Sequence, residues 1–292
     1  MSRRALVLSG GGPVGIAWES GIAAGLADAG VFLAGADLIV GTSAGSVVGA
    51  QLALGRRPQD MVQAQVARRQ AAAESQGSAP ASPPDLTPLI EMMMRAYTAS
   101  GSPEASRAEI GAFALNAKTA PEAAVVANFA RMLGSDSWPD RRFVCTAVDA
   151  HDGSFVTWDR DSGVEMSRAV ASSCSVPGIF PPISINGRRY IDGGMRSGTN
   201  ADLARGHDIV VIISLAGGAG TDMRAEMARQ RLEREISGLE EGGCAVELIV
   251  PDEASRQAIG LNPMDGRRSP DAAEAGARQG KGEASRLRDF WG

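Results

Sequence analysis

Short apolar runs alternate with segments of helical spacing along the first 54 positions of the chain. Residues 5–8 form an apolar run that predicts a buried strand, and it ends in a glycine-rich loop. Residues 15–29 have the three- and four-residue apolar spacing of a helix, which Gly30 would end. Residues 37–40 predict a second strand and residues 44–54 a second helix. This alternation of apolar strands and helices is typical of a parallel sheet that helices cover on both faces.

The later part of the chain continues the same plan. An Asn-Gly pair at 186–187 separates two short apolar runs, at 183–185 and 188–191, and predicts a hairpin. Four further apolar runs predict strands, at 143–148, 155–158, 209–215 and 246–250. The fold class indicated by the pattern is therefore α/β, with a mainly parallel central sheet.

Residues 56–135 interrupt this plan. They are rich in Ala, Gln and Met and contain no good strand, so we expect a helical cap insertion there. Residues 75–88 have the composition of a mobile linker, and residues 89–97 predict a helix. One face of this helix is apolar: Leu89, Met92, Met93, Ala96 and Tyr97. That face is either a packing surface or a flexible, methionine-lined cap over an apolar substrate.

The length of 292 residues fits one α/β domain. We expect residues 1–292 to form a single domain, in which 5–215 is the core that carries the motifs. Residues 252–292 would then form a C-terminal helical segment. Its end carries Phe290 and Trp291 and would either dock on the core or touch a membrane interface.

The net charge and the cysteine content argue against several classes of protein. The net charge of −5 argues against a general nucleic-acid binder. Three widely spaced cysteines without a CxxC pair argue against a disulfide framework or a zinc site.

Neither a transmembrane helix nor a signal peptide is expected, because no apolar run reaches transmembrane length and the run at 5–8 is too short for a signal peptide. We expect a protein that is cytoplasmic or peripheral to the inner face of the membrane, in an undefined oligomeric state.

The segment Gly41-Thr42-Ser43-Ala44-Gly45 is the first candidate for chemistry. A serine nucleophile on a sharp strand-to-helix turn needs small neighbours, and a G-x-S-x-G sequence supplies them. Here the motif follows a predicted strand and precedes a predicted helix, which is the context that this chemistry needs. The alternative is an ordinary tight turn.

The glycine loop at 10–15 is the second candidate. Between a strand and a helix, its backbone N–H groups can form an anion-binding nest, which would hold the oxyanion of an acyl-transfer intermediate. Residues 10–15 also match the dinucleotide-binding motif G-x-G-x-x-G. That interpretation predicts an acidic residue at the end of the second strand, where this chain has Ile39-Val40-Gly41 and then the serine turn.

A third motif, Asp192-Gly193-Gly194, ends the predicted hairpin. Taken alone it indicates a turn, but together with the other two motifs it supplies a candidate general base. Only two histidines occur, His151 and His207, and both lie in predicted surface loops. A Ser–Asp dyad is therefore the simpler mechanism. The carboxyl is a weak base at its ordinary pKa near 4, and burial would raise that value.

These three motifs, in this order, resemble those of the patatin-like phospholipases. A further match is the stretch 171–182, Ala-Ser-Ser-Cys-Ser-Val-Pro-Gly-Ile-Phe-Pro-Pro. The resemblance covers residues 5–54 and 142–215 well, 56–135 loosely and 252–292 weakly. It implies a three-layer α/β/α sandwich and the hydrolysis of acyl esters in lipids without a metal or other cofactor.

Residue by residue, the resemblance implies that Ser43 is the nucleophile and Asp192 the proton acceptor. The implied oxyanion-hole residues are Gly10, Gly11, Gly12 and Val14. The implied supporting residues are Gly15, Gly41, Gly45, Gly193, Gly194 and Pro177. Val14 departs from the family loop, which commonly has Arg or Lys there. The backbone N–H is retained, but the side-chain cation is lost.

The expected substrate is a lipid or fatty-acyl ester, as for a phospholipase A or lysophospholipase. No nucleic-acid partner is expected, and peripheral contact with a membrane stays open. Two alternatives remain: a short-chain esterase or thioesterase that uses the same site, and a catalytically silent lipid-binding protein.

Overall fold

The computed structural model describes residues 2–74, 82–98, 101–216 and 223–292. Of the linker predicted at 75–88, residues 75–81 lie outside the described residues. Residues 82–86 have no regular structure, and the helix that follows begins at Thr87, two positions before the predicted start. None of the described helices is both long enough and apolar enough to cross a membrane.

Eight strands are found among the described residues, and they form one sheet. Their bounds are Arg4–Leu8 (β1), Leu38–Gly41 (β2), Phe143–Asp149 (β3), Phe155–Trp158 (β4), Ile183–Ile185 (β5), Arg188–Asp192 (β6), Ile209–Ile213 (β7) and Ala245–Ile249 (β8). Every predicted strand is present, with ends that differ by up to two residues. The largest difference is at β7, whose predicted end at 215 is shortened to Ile213.

The strand order is β5-β6-β3-β2-β1-β7-β8, with β4 paired to β3. The pairs from β3 through β2, β1 and β7 to β8 are parallel. The pairs β3–β4, β3–β6 and β5–β6 are antiparallel. The sheet is thus mainly parallel, as the sequence predicts, and its antiparallel part is confined to the end that carries the predicted hairpin.

Ten α-helices occur among the described residues. Their bounds are Gly12–Asp28 (α1), Ala44–Ala53 (α2), Pro58–Glu74 (α3), Thr87–Thr98 (α4), Pro103–Asn116 (α5), Glu122–Leu133 (α6), Met166–Ser173 (α7), Met223–Glu240 (α8), Glu253–Ile259 (α9) and Ser269–Trp291 (α10). The first begins three residues before its predicted start, because Gly12 adopts a φ of +58° and Pro13 is tolerated in the first turn of a helix.

Helices cover both faces of the sheet, so the three-layer α/β/α prediction is confirmed. On β1, Leu6 and Leu8 face a core that includes residues of α1, α2, α6, α7 and α10. The alternate residues Ala5 and Val7 face a second core, to which α8 contributes Leu232 and Leu239. The parallel strands are therefore apolar on both faces, which explains their unbroken apolar runs.

The described part of residues 56–135 contains the four helices α3 to α6 and no strand, in line with the predicted helical insertion. In α4, Leu89 is buried, and Met92 and Met93 pack around a core that contains Val148 and Ile191. The apolar face of this helix is therefore a packing surface rather than a cap over substrate. The side chains of its last two predicted members, Ala96 and Tyr97, lie outside the described residues.

The long helix α10 docks on α1 through glycines. A Cβ at Gly276 would lie 2.4 Å from the Trp18 carbonyl oxygen, and a Cβ at Gly25 would lie 2.1 Å from that of Ala277. Only glycine permits backbones to approach so closely. Because Trp291 is also buried, the C-terminal end docks on the core.

Candidate functional site

Ser43 lies at the turn between β2 and α2, with φ +51° and ψ −115°. This is a rare conformation for a residue with a side chain and stores strain. A Cβ at Gly41 would lie 2.5 Å from the Gly45 carbonyl oxygen, and one at Gly45 would lie 2.2 Å from that of Leu8. The two glycines of the G-x-S-x-G motif are thus required by close backbone contacts, as the sequence predicts for a sharp turn.

The sheet register brings Asp192 close to this turn. Gly41 at the end of β2 pairs with Cys145 of β3, and Asp192 at the end of β6 pairs with Ala147. Cys145 and Ala147 also pair with β4, and a strand residue has one partner strand on each side. β4 therefore occupies one side of β3, and β2 and β6 share the other side. The two strands run toward each other along β3, so Ser43 and Asp192 meet where they end.

The Asp192 carboxylate is buried, and the Ser43 hydroxyl is near enough to it to favour its charged form. Its Oδ1 also accepts a hydrogen bond of 2.7 Å from the Gly194 N–H. Burial raises the pKa of Asp192 to about 7, and the Ser43 hydroxyl and the Gly194 N–H oppose this rise. The sequence predicted this direction of the pKa shift, because burial makes a carboxyl a better base than it is in water.

The end of α7 and the segment that follows it hold the backbones of both residues. The Ser43 N–H donates to Ser173 Oγ at 3.0 Å, and Cys174 Sγ donates to the Ser43 carbonyl oxygen at 3.1 Å. The Asp192 N–H donates to the Ser175 carbonyl oxygen at 3.1 Å. Burial raises the pKa of Cys174, so its thiol remains a hydrogen-bond donor. These contacts give a structural reason for the Ala-Ser-Ser-Cys-Ser-Val-Pro stretch, which runs on to buried Pro177.

The glycine loop lies against the serine, since a Cβ at Gly10 would lie 3.4 Å from Ser43 Cβ. Of the four backbone N–H groups that were expected to bind the oxyanion, two donate to carbonyl oxygens of the protein instead. The Gly10 N–H donates to the Gly198 carbonyl oxygen at 2.8 Å, and the Val14 N–H to that of Pro263 at 3.4 Å. Among the described residues, the N–H groups of Gly11 and Gly12 have no backbone acceptor.

The Val14 side chain is fully buried in the core beneath the loop. Its N–H is held by the loop at 260–265, which the sequence did not connect with the site. Gly15 packs against the start of α2, because a Cβ there would lie 3.2 Å from Ala44 Cβ. The loop and the serine turn thus form one closely packed unit.

A buried acid, Glu19 of α1, supports the loop from below. Its Oε1 accepts hydrogen bonds from the Ser9 N–H at 3.0 Å and the Ser9 hydroxyl at 3.3 Å. The Ser9 carbonyl oxygen in turn accepts the Gly45 N–H at 2.8 Å. Burial raises the pKa of Glu19 well above its usual range. Burial therefore opposes a negative charge on this acid beneath the loop.

A cavity of about 290 Å³ opens beside Ser43. Its lining is almost entirely apolar and contains no charged side chain. One stripe of α6 contributes a third of it, namely Ala124, Val125, Asn128, Phe129 and Met132. The remaining lining residues are Gly12, Pro13, Ile16, Ser43, Ala44, Ala120, Cys174, Val176, Phe180 and Met264. The sequence predicted a helical insertion here but identified α4, rather than α6, as the candidate cover.

The two histidines lie in loops, as the sequence predicts. His151 is exposed in the turn between β3 and β4, and His207 contacts the Ala204 carbonyl oxygen through Nδ1 at 2.9 Å. Within the part of the chain that the structure describes, no group of three or more His, Cys, Asp or Glu side chains is arranged to hold a metal ion.

Fold and site together define an α/β protein with a strained serine turn, a glycine loop and a buried carboxylate. Residues 6–205 match the family model described as patatin-like phospholipase. Because this match spans more than half of the chain, the chain belongs to the patatin-like phospholipase family. Membership of this family supports a lipid hydrolase.

Solved structures include distant neighbours. VipD from Legionella pneumophila is 14% identical with a TM-score of 0.46, and the match covers 98% of this chain and 67% of that chain. The type III effector protein ExoU is 16% identical with a TM-score of 0.39, and the match covers 98% of this chain and 53% of that chain. This chain thus spans about half of the ExoU chain. No curated protein matches it.

Proposed function

We propose that this protein is a serine carboxylic-ester hydrolase that cleaves lipid or fatty-acyl esters through a Ser43–Asp192 dyad. The observation that carries the proposal is that the sheet register brings the Ser43 turn to a buried Asp192, whose pKa is raised to about 7 by burial. A general base works best when its pKa lies near the operating pH. The pair adjoins an apolar cavity, which suits an acyl chain.

The proposed reaction has two steps. Asp192 takes the Ser43 proton while Oγ bonds to the ester carbonyl carbon, and the leaving alcohol departs with that proton as the ester C–O bond breaks. A water molecule then gives a proton to Asp192 and attacks the acyl-enzyme. The bond from the acyl carbon to Oγ breaks, Ser43 regains its proton, and the fatty acid is released.

The proposed oxyanion donors are the N–H groups of Gly11 and Gly12. Both are without a backbone acceptor among the described residues, whereas the N–H groups of Gly10 and Val14 donate to carbonyl oxygens. Gly12 also lines the cavity together with Ser43. An oxyanion donor of this kind contributes about 3 kcal/mol to transition-state stabilisation.

The cavity supports an acyl chain as the group that is bound. Its volume of about 290 Å³ is near the lower end of the range for ligand pockets, which suits one chain rather than a whole diacyl lipid. Val14, which stands where the family commonly has a cation, is buried in the core. The bound part of the substrate would therefore be selected by its apolar surface and not by the charge of a head group.

Contact with a membrane surface belongs to the same proposal. Leu261 is 89% exposed and lies three positions before Met264, which lines the cavity. An exposed leucine in this loop would bury apolar surface in a lipid interface. Replacing it by Asp should lower sedimentation with phosphatidylcholine vesicles and leave the turnover of soluble esters unchanged.

A substrate panel tests the proposed activity. We expect turnover of p-nitrophenyl esters that rises from acetate to medium chain lengths, together with turnover of lysophospholipid. Acetate as the best substrate would favour the short-chain esterase alternative, and an acyl-thioester turned over faster than the matched ester would favour the thioesterase. Loss of all turnover in Ser43→Ala is the required control. Lipid binding by a wild type that turns over none of these substrates would indicate a silent lipid-binding protein.

A further inference from the structure

The spacing of Ser43 and Asp192 is not set by pairing between their own strands. β2 and β6 both pair with β3, and no ladder joins them to each other within the described residues. The register leaves one β3 residue between their attachment points, because Gly41 lies opposite Cys145 and Asp192 lies opposite Ala147. That residue is Thr146.

Thr146 contacts the chain next to both ends. Its Oγ1 lies 3.0 Å from Oγ1 of Thr42, the residue before Ser43. On the other side, Gly193 follows Asp192 and packs so tightly that a Cβ there would lie 2.2 Å from Thr146 Oγ1. Thr42 and Thr146 are both fully buried.

Asn200 completes this contact from the loop after β6. Its Nδ2 donates to Thr42 Oγ1 at 3.0 Å and to the Ser197 carbonyl oxygen at 2.8 Å. Longer contacts of 3.4 Å reach Thr146 Oγ1 and the Gly193 carbonyl oxygen. The Asn200 backbone has φ +50° and ψ +40°, a left-handed conformation that Asn tolerates better than most residues.

The orientation of the Asn200 amide is fixed by a charge. Arg196 Nη1 donates to Asn200 Oδ1 at 2.8 Å, so the amide oxygen faces the guanidinium and the NH₂ group faces the two threonines. Arg196 is itself held by Asp202 through two hydrogen bonds of 2.8 Å. A buried side chain with both its acceptor and its donors engaged is expensive to replace, because each lost partner leaves an unsatisfied polar group.

We infer that Thr42, Thr146 and Asn200 form a positioning bridge, which sets the distance between the Ser43 hydroxyl and the Asp192 carboxylate. The inference rests on the proposed dyad and adds residues that touch neither substrate nor the transferred proton. The bridge connects the residue before Ser43 with the turn that follows Asp192. Small displacements of reacting groups can lower a rate by about 100-fold, so this connection matters for turnover.

Three variants with parallel chemistry test the bridge. Thr146→Val removes the hydroxyl at nearly constant volume, Thr146→Ser keeps it, and Thr157→Val makes the same change at the exposed residue that pairs with Thr146 on β4. On a soluble p-nitrophenyl ester, we expect kcat of Thr146→Val to fall about 10- to 100-fold with KM nearly unchanged. Thr146→Ser and Thr157→Val should stay within about threefold of wild type.

The pH profile separates positioning from a general loss of structure. Burial raises the Asp192 pKa, the nearby Ser43 hydroxyl lowers it, and no charged side chain among the described residues shifts it. If the bridge variant moves that hydroxyl away from the carboxylate, the lowering effect is lost. The acid limb of kcat/KM, which reports this base, must then move to higher pH in Thr146→Val and stay in place in Thr157→Val.

The outcomes of this experiment distinguish the bridge from the dyad. Wild-type kcat and an unmoved acid limb in Thr146→Val would overturn the bridge while leaving the dyad intact. Absence of Ser43-dependent turnover in the wild type would instead overturn the proposed function. If Thr146→Val does not fold, kcat and the acid limb of kcat/KM are measured on Thr42→Val instead. The same fall in kcat and the same shift of the acid limb to higher pH are expected for that variant.

Discussion

At the scale of single residues, the two proposed catalytic residues adopt conformations and environments that lower the stability of the folded protein. Ser43 has a positive φ, which costs about 1–3 kcal/mol for a residue with a side chain. Asp192 is a carboxyl buried away from solvent, and the charged form that would act as a base is the form that burial disfavours. Such features persist where the surrounding contacts enforce them, and here Ser173, Cys174 and Ser175 supply those contacts.

The raised pKa of Asp192 predicts how stability depends on pH. Because the folded-state pKa is about 7 and the ordinary value is 3.8, the folded protein binds more protons between these values. The contribution of this group is therefore fully present below pH 3.8 and is lost as pH rises through 7. Asp192→Asn should remove this loss and be more stable than wild type at pH 8, by up to about 4 kcal/mol.

Urea denaturation at pH 5 and pH 8 measures this difference. The decline in the free energy of unfolding between the two pH values should be smaller in Asp192→Asn than in the wild type. The buried Glu19 is common to both proteins, so its own pH dependence cancels in the comparison. Equal declines in the two proteins would contradict the raised pKa of Asp192.

At the scale of elements, the docking of α10 on α1 depends on individual glycines. Gly276 faces the Trp18 carbonyl oxygen, whereas Gly282 on the same helix is exposed, and a Cβ there would have no atom within 4 Å. Gly276→Ala should lower the free energy of unfolding by about 1–3 kcal/mol through overpacking. Gly282→Ala should raise it by about 0.5–1 kcal/mol, because Ala suits a helix interior better than Gly.

Thermal or urea unfolding of the two α10 variants checks this prediction. They carry the same substitution six positions apart on one helix, so helix propensity favours both equally. Opposite signs are expected, and a stabilising Gly276→Ala would show that α10 does not lie against α1.

The α6 stripe gives a second prediction at this scale. Ala124 is exposed at the rim of the cavity, while Ala123 is exposed on α6 and does not line it. Ala124→Trp should reduce kcat/KM for long-chain esters about 10-fold or more and affect acetate esters little, because only longer chains need the occupied volume. Ala123→Trp should behave as wild type. A uniform loss over all chain lengths in Ala124→Trp would contradict an acyl chain bound along α6.

At the scale of the whole molecule, the sequence predicted the parts that depend on local pattern. Apolar runs located all the strands among the described residues, and the G-x-S-x-G motif located the strained turn because Gly41 is required by a close contact with Gly45, four positions away. Other features depend on distant parts of the chain and leave no local signal. The Gly10 N–H is taken by Gly198, and Asn200 joins Thr42 to Thr146 only after the sheet has formed.

The central claim is that Ser43 is a nucleophile activated by Asp192, and covalent labelling tests it most directly. Intact-mass spectrometry after treatment with a fluorophosphonate should show one adduct on the wild type, located at Ser43. Ser43→Ala should show none, and Asp192→Asn should label at least about 100-fold more slowly, as expected when a general base is lost. An unlabelled wild type, or equal labelling of the wild type and Ser43→Ala, would contradict the proposed chemistry.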